Sequence, residues 1–317
     1  MRVAVTGAYG LVGSWLCAAL LDRGDDVAVL RHAGADDGAA LVVAGTEGRC
    51  DVVTGDVGDR RAVGRLLDGA DLVFHLAGRS IVADALADPV ATYETNVRGT
   101  WTVLDAARAG APAVVVASSY RVYGTAARRP WREDDPLLGT SPYDASKRAA
   151  EVLAQSAHAT DGLRVAWTRF ANVYGGGDRS TRLVPDAVTA VLDGRPPVVR
   201  SDGSPERDLL HVDDAVAAYL AIGAALLEGR GAGEAYNAGS GRPVRVLDVV
   251  EAVCRAAGST LRPQVLGAPA DGLDRQAVDA SKLHALAGWS PRTGLDEGLR
   301  RTVAWYREHG WQRHAAA

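Results

Sequence analysis

The chain has 317 residues, 47% of them hydrophobic and 23% charged, with a formal net charge of −4. That length suggests roughly two domains or one elaborated α/β domain, and the apolar content excludes a disordered chain. The sequence pI of 6.0 argues against a nucleic-acid partner. Cys17, Cys50 and Cys254 are too widely spaced to suggest a disulfide framework or a zinc site, and no other metal constellation is visible. Met1 runs straight into an apolar strand and no apolar run reaches spanning length, so a cytoplasmic protein with no membrane partner is expected.

The first half alternates short apolar runs with longer amphipathic stretches, which predicts βαβ units and a parallel sheet. Residues 2–6 (RVAVT) read as a buried strand and 11–23 as a helix closed by Gly24. Further strands are expected at 26–30, 51–54, 72–76, 113–117 and 164–168, with helices at 60–67, 89–109 and 142–160. After Gly175 the character changes. Loop clusters at 175–178, 195–197 and 202–206 separate shorter elements, and helices are expected at 213–227, 246–257 and 295–308.

Gly7, Gly10 and Gly13 fall where the first strand meets the first helix. Missing side chains let the backbone approach a diphosphate, and the helix start offers unpaired N–H groups and a positive dipole end. The expected fold is therefore α/β, a Rossmann-type doubly wound parallel sheet. A dinucleotide-binding domain over 1–174 would carry a smaller C-terminal α/β substrate domain over 175–317, some of whose segments return to the first. Asp56 follows the third strand, where a carboxylate can accept from an adenine amino group. Arg31 stands where an acid would hold the ribose hydroxyls. An arginine there either meets a 2′-phosphate, slightly favouring NADP over NAD, or stacks on adenine.

Ser141 followed by Pro142 is a strong helix start, and Tyr143 and Lys147 then share one helix face. Only two of the 35 basic residues, Lys147 and Lys282, are lysine. A phenol titrates near ~10, and an ammonium at ~4 Å in an effective dielectric of ~20 supplies ~4 kcal/mol towards ionising it. Tyr143 is thus expected to accept a proton with Lys147 and an oxidised nicotinamide beside it. Ser119, at the end of the strand at 113–117, is the expected third member.

Several segments together resemble the extended short-chain dehydrogenases/reductases, in the branch of nucleotide-sugar 4-epimerases and 4,6-dehydratases. They are the glycine turn, Gly55–Val57, His75–Gly78, Asn96–Thr100, Ser119 with Val122–Gly124, Tyr143 with Lys147, Arg169–Gly175 and Arg207–Asp214. The resemblance implies that Gly7, Tyr9, Gly10, Leu11, Gly13, Arg31, Asp56, Val57, Leu76, Ala77, Gly78, Asn96, Tyr143, Lys147 and Phe170 meet an NAD(P) cofactor. It implies Ser119, Tyr143 and Lys147 as catalytic residues, with Tyr143 taking the sugar C4 hydroxyl proton. Ser119, Tyr120, Arg121, Asn172, Arg207 and Asp279 would meet a nucleoside-diphosphate sugar, and the chain would form a homodimer. His75 and His211 read as structural.

Two departures bear on the activity. Residues 13–16, 134–136 and 175–179 look most like CDP-glucose 4,6-dehydratases, whose active-site hydroxyl is followed by Asp-Glu or Asp-Lys. Here Tyr120 and Arg121 follow it, and arginine is a poor proton shuttle. That ranks 4-epimerisation above dehydration, with Tyr120 and Arg121 shaping the sugar pocket or holding an anionic substituent. The 267–271 stretch lacks the arginine that relatives aim at the diphosphate, and Arg275 is its candidate substitute. An NADPH-dependent 4-ketoreductase and a non-catalytic dinucleotide sensor are the other readings.

Overall fold

The computed structural model describes residues 1–35, 39–110, 112–268 and 274–310. Strand β1 (Arg2–Thr6) shows how the sheet is built: Val3 and Val5 point into one hydrophobic cluster and Ala4 into the other. The same alternation puts Leu72 and Phe74 of β4 (Leu72–His75) on the first face and Val73 on the second. Burial on both faces is what makes these strands apolar throughout rather than alternately polar.

With β2 (Asp26–Arg31), β3 (Asp51–Thr54), β5 (Ala113–Ala117), β6 (Val165–Phe170) and the segment Ala235–Ala238, they form one seven-stranded sheet. Its order is Ala235–Ala238, β6, β5, β4, β1, β2, β3, and every pairing is parallel. The order reverses between β1 and β4, so the crevice for a ligand opens beyond the carboxyl ends of those two strands. Helix α1 (Leu11–Asp22) and the helix Val212–Leu227 cover one face. The helices Arg60–Leu67, Gly99–Gly110 and Pro142–Asp161 cover the other.

Residues after 174 divide between two bodies. Val212–Leu227 and Ala235–Ala238 complete the main sheet. Leu183–Leu192, Val246–Ala256 and Leu295–His309 pack their own core around Val188, Val250, Val253, Leu299 and Tyr306. Among the described residues no helix is long and apolar enough to cross a membrane.

The single helix expected at 89–109 is broken. Pro89–Tyr93 leads into a wide π-turn at Glu94–Arg98 before the helix resumes at Gly99. The side chain of Asn96 in that turn accepts from the Arg79 amide at 2.8 Å and donates to Ser146 Oγ at 2.9 Å. A side chain bonded to two other segments holds the turn open, as π-turns at ligand sites commonly are.

Beneath β5 and β6 lies a buried ion pair. Arg169 Nη2 donates to Glu151 Oε2 at 2.7 Å, and Ser118 Oγ donates to Glu151 Oε1 at 2.5 Å. Both charged side chains are almost wholly shielded, at 4% and 1% exposure. Removing one partner of such a pair strands the other, at a cost of ~3–5 kcal/mol. Glu151→Ala should therefore lower the melting temperature sharply in a thermal scan, whereas Glu234→Ala, at the surface pair with Lys282, should leave it nearly unchanged.

Candidate active site

The nucleotide end is built on close backbone approach. Gly7 sits at φ +73°, and a Cβ there would lie 2.5 Å from the Ala77 nitrogen. A Cβ on Gly13 would lie 2.1 Å from the Gly7 carbonyl oxygen. Gly10 is different: it caps α1 without a side chain and would meet only the Gly7 oxygen, at 3.4 Å. Two glycines close the turn and the third keeps its outer side clear, which fits a diphosphate against the α1 amides; Leu11 opens that helix.

At the far end of the turn Tyr9 and Arg31 converge on a residue absent from the sequence reading. Arg31 Nη1 donates to Glu47 Oε1 at 2.6 Å, the Tyr9 hydroxyl donates to the same oxygen, and the Arg31 guanidinium lies 5.4 Å from the Tyr9 ring centre. Arg31 is thus already paired with a carboxylate. Asp56 is exposed and accepts from the Gly58 amide at 2.7 Å, while Val57 beside it is buried against Gly99.

The strip Leu76–Gly78 leaves β4 along Thr6, whose carbonyl accepts from the Leu76 amide at 3.1 Å and whose Oγ1 accepts from the Ala77 amide at 3.2 Å. A Cβ on Gly78 would lie 3.0 Å from Asn96 Oδ1 and 3.1 Å from Lys147 Nζ. The strip therefore ends beside Lys147. His75 lies between Thr6 Oγ1 and Thr100 Oγ1, at 2.8 and 2.9 Å. Burial, with the Lys147 charge, holds His75 down at about 3, so it is a neutral strut. His211 Nδ1 accepts from the Asp213 amide at 3.3 Å and caps a helix.

The chemical end depends on a helix start. Ser141 and Asp144 close a reciprocal capping box with Pro142 at the first helical position. This aims Tyr143 and Lys147 inward, each 6% exposed, towards Ser119, which is 7% exposed at the end of β5. Ser119 and Tyr143 are hydrogen-bonded through their side chains. The Lys147 ammonium donates to the Ala117 carbonyl at 2.9 Å. Burial raises the Tyr143 phenol above its ordinary value, and the Ser119 bond, then the charges of Arg182 and Arg121, pull it back. Burial likewise brings Lys147 down to about 8.

Beyond Ser119, Tyr120 is buried and its hydroxyl donates to Gln276 Oε1 at 2.7 Å, 3.1 Å from Asn172 Oδ1. Asn172 Nδ2 in turn donates to Gln276 Oε1 at 3.1 Å. Arg121 Nε donates to Asp144 Oδ1 at 2.8 Å, so it is drawn onto the capping box. Arg207 lies close enough for its charge to act on Tyr120, and Phe170 packs on Tyr219 with ring centres 4.7 Å apart.

Two residues fall elsewhere. Asp279 accepts from Arg132 Nε at 3.0 Å and from the Ser281 amide at 2.8 Å, in a cleft shared with Glu133, Glu234 and Lys282. Arg275 Nε is 3.1 Å from Glu206 Oε2, and residues 269–271 of the adjoining stretch lie outside the described residues. Sequence reasoning missed Gln276, Arg182 and Glu47. Each reaches the site from a loop or a short turn whose pattern carries no signal of its own.

A family model for the NAD dependent epimerase/dehydratase family matches residues 3–239. The chain belongs to that family and is an NAD-dependent sugar-nucleotide epimerase or dehydratase. It is 38% identical to a dTDP-glucose 4,6-dehydratase of Streptomyces griseus, over 97% of this chain and 94% of that one. A dTDP-glucose 4,6-dehydratase structure from Streptomyces venezuelae with NAD bound superposes at a TM-score of 0.86, with 34% identity and 97% of each chain covered. A Thermotoga maritima UDP-glucose 4-epimerase with UDP-glucose reaches 0.89 at 25% identity, covering 97% of this chain and 99% of that one.

With its ordinary value brought down to about 8, Lys147 loses its charge as pH rises through that value. NAD affinity, measured by fluorescence titration, should fall on that side. In Lys147→Arg, whose guanidinium stays charged, the falling limb should disappear.

Proposed function

We propose that the protein is a nucleoside-diphosphate-sugar 4-epimerase. The observation that carries this reading is the state of the two residues after Ser119. Dehydration across C5 and C6 needs an acid and a base beside the sugar, but Tyr120 is fastened to Gln276 and Asn172, and Arg121 is drawn onto Asp144. Neither position holds a carboxylate. A pocket with one proton-transfer centre suits a reaction that removes and restores hydrogen at a single carbon.

An NAD(P) held by the glycine turn and the Leu76–Gly78 strip would supply a reversible hydride acceptor for the sugar C4. Tyr143, as the phenolate, takes the C4 hydroxyl proton and gives it back when the alcohol re-forms. Ser119 donates to the same sugar oxygen and holds it at Tyr143. Burial opposes the phenolate, so the charges of Arg182 and Arg121 are needed to hold it, and Lys147 stiffens the β5 end through Ala117. Asn172 and Arg207 are suited to the substrate diphosphate.

A second reading, 4,6-dehydration, is supported by the names of several relatives. NMR product analysis on UDP-, CDP-, GDP- and dTDP-hexoses separates the two. Epimerisation gives a C4-inverted hexose of unchanged mass, whereas a 4-keto-6-deoxy product, lighter by one water, would overturn the proposal. Added NADPH consumed by a 4-keto substrate would point to a ketoreductase. Tyr143→Phe should cut turnover by ~10²–10⁴-fold while leaving NAD affinity nearly intact.

We also propose a homodimer. Val90, Trp101 and Val152 are 71%, 46% and 61% exposed on three neighbouring helices of one face. A second copy is the occupant that would cover them. Light scattering should find a dimer in the wild type and a monomer in a Val90→Asp/Val152→Asp variant.

A further inference from the structure

We propose that Glu47 supplies the acid that the end of β2 lacks, and that it makes the site select NAD against NADP in spite of Arg31. The inference rests on the dinucleotide reading and goes beyond it to the identity of the cofactor.

In a doubly wound sheet the adenosine ribose lies beyond the second strand, where a carboxylate accepts from its hydroxyls. Here β2 ends in a cation, Arg31. The carboxylate comes instead from Glu47, the first residue of the short turn Glu47–Arg49 that precedes β3. It reaches across to the ends of both strands that border the ribose position. Arg31 closes β2 and Tyr9 lies in the turn that leaves β1, and both donate to Glu47 Oε1. β1 and β2 are neighbours in the sheet, so the two donors bring this carboxylate to the ends of both strands.

Two physical consequences follow. The Arg31 charge is already met by an anion at 2.6 Å, so a 2′-phosphate gains little from it. A 2′-phosphate would also stand beside the Glu47 carboxylate, and like charges a few ångströms apart repel. A 2′-hydroxyl carries no such charge and can donate to the carboxylate. The arginine therefore serves to hold the acid, and the acid decides between the cofactors. The side chains of Arg31 and Glu47 are 29% and 21% exposed, which leaves the pair reachable from the crevice while shielding it from full solvent screening.

The test is calorimetric titration of the full-length protein with NAD and with NADP, in the absence of any sugar nucleotide. The wild type should bind NAD about tenfold more tightly or better. In Glu47→Gln the ratio should move towards NADP by about tenfold, because the opposing charge is gone. Arg31→Ala in the Glu47→Gln background should abolish that gain. The ratio is insensitive to any loss of folded protein, which lowers both affinities alike. NADP binding to the wild type as tightly as NAD would overturn the proposal, as would a Glu47→Gln ratio equal to that of the wild type. If neither dinucleotide bound, the shared cofactor reading would fall with it, an outcome distinct from an unchanged ratio.

Discussion

The arrangement of the active site depends on one carboxylate. The Asp144 backbone amide donates to the Ser141 hydroxyl oxygen, and its side chain accepts from the Ser141 amide, so the first turn cannot rotate. Tyr143 and Lys147 take their directions from that turn. The same Asp144 accepts from Arg121, which draws the residue two places after Ser119 away from the role of a free cation. Helix geometry and pocket chemistry are thus set at one point. A capping interaction is ordinarily worth ~1 kcal/mol, but here its loss would displace three functional side chains together.

Burial then decides the protonation states. His75 is kept neutral, Lys147 is weakened as a base, and Tyr143 is made harder to ionise, all chiefly because charge is disfavoured away from water. The phenolate is opposed by its surroundings unless cations compensate, as the charges of Arg182 and Arg121 do. Sequence spacing correctly put Tyr143 and Lys147 on one face. It carried no information on where the ammonium's bond would go, since the Ala117 carbonyl is 30 residues distant along the chain.

The same contrast runs through the fold. Strands β1 to β6 and the helices at Arg60–Leu67 and Pro142–Asp161 were legible because apolar period, caps and glycines act locally. The π-turn at Glu94–Arg98 was not, because it is held open by Asn96 bonds to Arg79 and Ser146, which are long-range. Ala235–Ala238 was missed for a related reason: four residues are too few for a periodic signal, and only pairing with β6 defines them as a strand. At the site, the glycine turn, Ser119, Tyr143 and Lys147 stood out by motif. Glu47, Gln276 and Arg182 stand out only through what they meet in space.

The way the chain divides after residue 174 limits how this molecule can move. It leaves the main sheet after Phe170, returns for Val212–Leu227 and Ala235–Ala238, and leaves again for Val246–Ala256. Trp15 of α1 also donates to the Gly176 carbonyl at 2.8 Å, stitching the two bodies beside the glycine turn. A body tied by several crossings has no single hinge about which to swing. Admission and release of a bulky ligand must therefore fall to side chains and short connecting loops at the rim, while the two cores stay in step.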